Sequence, residues 1–267
     1  PSTINFPPLS RILLPMTVEE DLVGQLYTVA KQSIEESDGS KAVEILVNRP
    51  YEDGTEDSDE DSEMAQMSSL FAASGLSKSR EAHSGQYTHK IYHAASAAPA
   101  FLSALLPASA LRIHERAWNA YPYCRTVMTN EYLERFRIHV ETLHRDDHGE
   151  EGNVFRLSEE QLAAREVVWL DIAEEPGEEQ DDDQHRAEYD PRYFVSERTG
   201  RGPLGPDWRD TSQPFMCVYK LVIIEVAYWG IQTLAESWGA KVIYLVGVTP
   251  KLDATRNIQE ILPSQLL

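Results

Sequence analysis

The chain has only two cysteines, Cys124 and Cys217. Two thiols cannot build a disulfide framework, and the simpler reading is a protein of a reducing compartment. Basic charge is also scarce: 24 Lys and Arg stand against 44 Asp and Glu, a net charge of −20. Nucleic acid is excluded as a partner on that ground, since binding a phosphate backbone relies on cationic side chains. A long hydrophobic run is missing too. Residues 94–111 are uncharged but mostly Ala and Ser, interrupted by Pro99 and Pro107. A spanning helix needs about 20 strongly apolar residues, so this stretch reads as a short buried helix between two prolines. The first residues, PSTINFPPLS, show no basic segment followed by an apolar one, and no signal peptide is expected. No GxSxG elbow or HExxH pair occurs, Cys124 has no activating base nearby in sequence, and the reading is of a protein that is not an enzyme.

At 267 residues and 42% hydrophobic composition the chain can bury a sizeable core. Its acidity is concentrated: residues 52–63 hold eight acids and no base, and residues 171–190 hold ten acids and one base. Without these two runs the net charge is −3, which allows approach to an anionic membrane.

Thr17-Val-Glu-Glu20 spells a capping box, followed by Val18, Leu22, Leu26, Val29 and Ala30 at helical spacing, which predicts a helix over 17–33. Strands are expected at 42–48, 86–93, in two pieces within 111–129, at 135–143, 167–172 and 215–229. Ser158-Glu-Glu-Gln161 caps a second helix. The segment 52–85, rich in Asp, Glu, Ser, Ala and Gly, reads as a disordered acidic insertion. Strands this closely spaced leave little room for helical crossovers, so the fold class is α+β with a mostly antiparallel sheet in a single domain.

Gly200-Arg-Gly202-Pro-Leu-Gly205 matches GxGxxG, but Pro203 and Pro206 remove two amides and break any helix opening there, so a rigid turn is expected. His89 and His93 lie four apart on a strand, about 13 Å, too far to share a metal. His144 and His148 read as part of an exposed polar turn. No metal and no cofactor are expected.

The informative pattern is polar residues on apolar strand faces. Lys220 lies in line with Val218, Val222, Ile224 and Val226; Thr142 lies in line with Val140 and Ile138; Thr88 and Lys90 share one face. Singly, each is more often structural. Together they suit a large pocket, apolar over most of its wall, with cationic and hydroxyl groups at one end, a shape that fits a phosphorylated lipid.

The segments LPMTVEE (14–20), GQLYTVA (24–30), GQYTHKIYH (85–93), WNAYPYCRTVMTNEY (118–132), TGRGPLGPDW (199–208) and MCVYKLV (216–222) resemble the phosphatidylinositol transfer proteins. The likeness runs, with gaps, from Leu9 to Gln232. It implies a helix-grip (START-like) fold, a curved antiparallel sheet wrapped on a helix and enclosing one phospholipid. It also implies exchange of phosphatidylinositol for phosphatidylcholine at cytoplasmic membrane faces, with peripheral and transient membrane contact. Matching position by position, Thr88, Lys90 and Asn119 correspond to inositol contacts, and Gln25, Thr126, Thr142 and Lys220 to phosphate and headgroup contacts. Cys124 corresponds to a thiol lining the lipid cavity. Tyr228 and Trp229 correspond to an exposed aromatic pair that touches the membrane, with Tyr at the first position as in the longer, multidomain class. Ser196 corresponds to a phosphorylatable serine.

The likeness has gaps. The 52–85 segment is much longer than the family's loop. After Gln232 the family continues with an amphipathic helix and a tail acting as a lid, whereas residues 233–267 here show no such helix; VIYLVGV (242–248) reads as a buried strand. Two functions stay open at this point: a carrier of phosphatidylinositol and phosphatidylcholine, or a lipid-sensing or scaffold module whose transfer is impaired by the missing lid.

Overall fold

A computed structural model describes residues 9–37, 43–52, 84–93, 107–133, 136–174 and 190–226. The insertion, apart from its ends, most of 94–111, the aromatic pair Tyr228-Trp229 and the 233–267 tail lie outside the described residues.

The element order is β1 (Leu9–Leu14), α1 (Val18–Ser37), β2 (Val43–Tyr51), β3 (Gly85–His93), a 3-10 turn (Ala108–Leu111), β4 (Arg112–Ala120), β5 (Tyr123–Asn130), β6 (Phe136–Arg145), α2 (Glu159–Ala164), β7 (Val167–Leu170), α3 (Trp208–Thr211) and β8 (Met216–Val226). The strands form one eight-stranded sheet in the order β2-β3-β4-β5-β6-β8-β1-β7. All neighbours are antiparallel except β1 and β7, which run parallel. The expected α+β class with a mostly antiparallel sheet is what the chain adopts.

Both expected capping boxes form. Thr17 N–H donates to Glu20 Oε2 at 2.9 Å, and Glu20 N–H donates to Thr17 Oγ1 at 3.2 Å. Ser158 and Gln161 do the same at the start of α2. These reciprocal bonds satisfy N–H groups that a helix start leaves without partners.

Because side chains alternate along a strand, each strand contributes to two faces. The first face packs α1. Ile12, Leu14, Met216 and Val218 point to it and bury against Met16, with Val18 of α1 packed beside them. The second face, over β1 and β8, carries Leu9, Leu13, Cys217, Tyr219 and Leu221, buried against Val154, Phe155, Leu157, Leu204, Trp208 and Phe215. Residues 154–157, 204–208 and Phe215 thus cover one face at one end of the sheet, and the first turn of α1 meets the other.

The packing side of α1 differs from the expected apolar stripe. Leu26 is 64% exposed, while Asp21 is fully buried at 0% and Thr28 is buried at 6%. The helix is turned toward the sheet by polar bonds: Tyr121 Oη reaches the Val18 carbonyl at 2.6 Å and Asp21 Oδ2 at 3.1 Å, and His144 Nε2 stands 3.4 Å from Asp21 Oδ2. His144 therefore belongs to a buried strand end rather than to an exposed turn. Only His148 of that pair is exposed, its ring 4.8 Å from that of Phe215.

The GxGxxG segment is the ordered turn its prolines imply. Gly200 N–H donates to the Ser196 carbonyl at 2.7 Å, and Ser196 N–H donates to the Arg201 carbonyl at 2.8 Å. Gly202 sits at φ +91°, where a side chain would meet the Phe194 carbonyl. The turn is tied to the start of α1: Arg201 Nη1 donates to the Pro15 carbonyl at 2.6 Å and to Glu20 Oε2 at 2.9 Å, and Nη2 pairs with Glu20 Oε1.

Candidate functional site

Strand register decides which of the singled-out residues meet. Gln86 pairs Asn119, Asn119 pairs Cys124, Cys124 pairs Thr142, Thr142 pairs Lys220, and Lys220 pairs Ser10. Directly opposed residues share a face, so a polar row crosses the sheet from β3 to β1 on the face that packs α1. The next row, one pleat along, reads Thr88, Ala117, Thr126, Val140, Val222. The third begins Lys90, Glu115, Met128, Ile138. Polar groups therefore follow two lines, across the first row and down β3 and β4. The corner between them is apolar: Met128, Ile138, Val140 and Val222 form a buried cluster, with Ile113 and Phe136 packed on it.

All the strand-borne residues expected at a headgroup lie on this one face. Thr88, Lys90 and Asn119 fall on β3 and β4; Cys124 and Thr126 fall on β5; Thr142 and Lys220 fall on β6 and β8. Lys220 is 5% exposed. Thr88, Lys90, Thr126, Thr142 and Cys124 are half-buried, and Asn119 is exposed. Gln25 is half-buried on α1, one turn beyond Asp21, on the helix side that Asp21 turns toward the sheet.

Burial, and then the neighbouring Asp21 carboxylate, push the Cys124 thiol up to about 12. A thiol held protonated is a poor nucleophile. Ser196 lies apart from the rows, 8% exposed, its Oγ accepting from Thr199 N–H at 3.2 Å. It lines a small surface pocket with Pro15, Met16, Phe194, Arg201 and Leu204.

Further polar residues on this face escape sequence reasoning, Glu115, Ser10 and Asn130 among them. Glu115 is opposite Lys90 and accepts from Tyr92 Oη at 3.2 Å. Ser10 is opposite Lys220, and Asn130 is opposite Ile113. Alternation along RIHERAWNA puts Glu115 in phase with Asn119, which is the signal that finds it.

On the opposite face, His89 Nε2 lies 3.1 Å from His114 Nδ1, and His114 Nε2 lies 2.8 Å from Glu131. His93 instead faces Glu44 at 3.4 Å, so His89 and His93 do not converge. Among the described residues no group of three His, Cys, Asp or Glu is placed to hold a metal ion. Among them also, no helix is long and apolar enough to cross a membrane.

The comparisons with known proteins agree with this geometry. The chain is similar to the phosphatidylinositol transfer protein beta isoform of Bos taurus, 40% identical over 234 residues that cover 85% of this chain and 76% of that protein. The Homo sapiens beta isoform matches to the same extent, 40% over 234 residues. Membrane-associated phosphatidylinositol transfer protein 1 of Mus musculus is 42% identical over 234 residues, covering 85% of this chain but 16% of that much longer protein. The family described as phosphatidylinositol transfer protein matches residues 9–246, so the likeness continues past Gln232, where the resemblance of individual motifs ends. On that match and those identities, the chain belongs to the phosphatidylinositol transfer protein family.

Proposed function

We propose that the polar rows and the apolar corner are the wall of a cavity that holds one phospholipid and carries phosphatidylinositol between membranes. The observation that carries this reading is the register. Hydroxyl, amide and cationic groups from β3, β4, β5, β6 and β8 share one face with a contiguous apolar cluster. A phospholipid has the same division, with donors and acceptors at one end and hydrocarbon at the other.

The rows also divide the headgroup. Thr88, Lys90, Asn119 and Glu115 on β3 and β4 offer donors and an acceptor suited to inositol hydroxyls. Thr126, Thr142 and the buried Lys220 on β5, β6 and β8, with Gln25 from α1, offer donors to a phosphate. The phosphate set suits phosphatidylcholine equally, since both lipids carry a phosphodiester, and exchange of the two lipids follows. Lys220, buried between Thr142 and Ser10 across the strands, brings a cation to the same end as those hydroxyls, which suits an anionic phosphate. The protein works by differential binding without covalent chemistry, and meets the membrane peripherally through Tyr228 and Trp229. Ser196 is a candidate for phosphorylation beside the α1 tether.

Vesicle assays test the reading. Donor vesicles with labelled phosphatidylinositol and unlabelled acceptors should equilibrate in the presence of catalytic amounts of protein, and labelled phosphatidylcholine should move more slowly. Binding of one lipid per chain with no movement between vesicles would instead support a sensing or scaffold role.

A further inference from the structure

On β5, β6 and β8 the face that packs α1 passes from polar to apolar along the strands. The residues of β5 that point to it are Cys124, Thr126, Met128 and Asn130, and six residues of strand span about 20 Å. Thr142 and Lys220 stand level with Cys124, whereas Ile113 and Phe136, at the Asn130 end, pack on Met128, Ile138, Val140 and Val222. At this apolar end one side chain joins two loops. Asn130 is buried; its Nδ2 donates to the Ala110 carbonyl at 3.0 Å and to the Arg112 carbonyl at 2.8 Å. Its Oδ1 accepts from Tyr132 N–H and from Leu133 N–H, both at 2.9 Å. Both donors and both lone pairs of the amide are thereby used. The Leu133 carbonyl then accepts from Phe136 N–H at 2.8 Å, which closes the turn onto β6.

The tip of this fixed turn is Tyr132, 52% exposed. We propose that Tyr132, held out by the Asn130 clamp at the apolar end of the face, contacts the interface of a lipid bilayer, and that Asn130 is its positioning residue. A tyrosine has an apolar ring and a polar tip, which suits the boundary between headgroups and hydrocarbon. A turn already fixed presents that ring with little further ordering on contact. The charge beside it is paired: Glu131 meets Arg112 at 3.1 Å and His114 Nε2 at 2.8 Å, so no lone carboxylate adjoins the ring. The strand register adds a second apolar approach. Phe136 lies opposite Val226, so β8 ends beside this turn, two residues before Tyr228 in the chain. The inference rests on the lipid-carrier reading for the purpose of the contact; the contact itself is measured separately from lipid loading.

Co-sedimentation of the full chain with vesicles of phosphatidylcholine and phosphatidylinositol measures the contact, and native mass spectrometry of the same samples measures loading. Tyr132→Ser should lower the partition coefficient by roughly 3–10-fold, the worth of one aromatic contact. Tyr132→Trp, which keeps an interfacial ring, should stay within about twofold of the wild type. Loading should be the same in all three. Tyr193 is the control: it is 64% exposed, on the loop whose Arg201 is bonded to the Pro15 carbonyl at the other end of the sheet. Tyr193→Ser should partition as the wild type does. Asn130→Ala should weaken partition although Tyr132 remains, and should speed hydrogen exchange at the Tyr132 and Leu133 amides. The Tyr132 variants, at an exposed position, keep the test independent of folding. Equal partition of the wild type and Tyr132→Ser, or equal losses in Tyr132→Ser and Tyr193→Ser, would overturn the contact. Absence of lipid loading with the partition differences intact would overturn the carrier reading and leave the contact standing.

Discussion

Lys90 and Lys220 share a face but not a neighbourhood. Lys90 lies opposite Glu115 on β4, and Lys220 lies opposite Thr142 on β6 and Ser10 on β1. If the first set reads inositol and the second phosphate, the two lysines differ in what they discriminate. Lys90→Ala should weaken phosphatidylinositol binding by roughly 1.5–3 kcal/mol, the worth of a charge-assisted bond, and leave phosphatidylcholine binding nearly unchanged. Lys220→Ala should weaken both. Competition binding with the two lipids separates these outcomes, and an equal loss for both lipids in Lys90→Ala would remove the inositol assignment. The faces on which these two lysines lie along their strands were legible in the chain, because alternation alone assigns each residue a side of its strand. Glu115 was equally in phase with Asn119, yet a charged residue on a strand gives no local sign of whether its face is enclosed. Asp21 was less legible still: its partners Tyr121 and His144 lie 100 and 123 positions away along the chain, and no local periodicity encodes contacts at that range.

At the scale of elements, the capping boxes at Thr17 and Ser158 form as their spacing demands, because every atom involved lies within four residues. The buried side of α1 does not follow its apolar spacing, because bonds from the β4–β5 turn and β6 rotate it. A second tether comes from the TGRGP turn. Burial would raise the Glu20 carboxyl, but the Arg201 and Thr17 hydrogen bonds and the positive charges of Arg201 and Arg198 hold it below its ordinary value. A depressed carboxylate stabilises the fold above its unfolded value and loses that contribution as pH falls through its folded value. Arg201→Ala should therefore cost about 1–3 kcal/mol near pH 7, and progressively less as pH falls through the lowered folded value of Glu20 and its carboxyl takes up a proton. Denaturant unfolding along a falling pH series checks this; a constant difference would show that Arg201 acts through the Pro15 carbonyl alone. The same substitution should raise hydrogen exchange in residues 196–203 and in the first turn of α1 together, since one guanidinium joins them.

For the whole molecule, the register of β2 on β3 bears on the acidic insertion. Tyr51 pairs Gly85, so the two ends of the intervening segment stand one strand spacing apart. Closing a long loop costs only slightly more than closing a short one. Replacing 54–83 with a short Gly-Ser turn should thus keep the melting temperature within a few degrees and leave lipid loading intact; a large drop would mean that the segment packs on the domain. Sheet order was only partly legible, since the parallel pairing of β1 with β7 joins strands more than 150 positions apart. What ties the sheet to a function is the single face shared by the polar rows and the apolar cluster. Native mass spectrometry after incubation with vesicles of mixed phosphatidylinositol and phosphatidylcholine tests that most directly. The account predicts one diacyl phospholipid bound per chain, phosphatidylinositol in excess of its share in the vesicles, and loss of that excess in Lys90→Ala. A folded chain that emerges without lipid, or with both lipids in vesicle proportion and no change in Lys90→Ala, would contradict it.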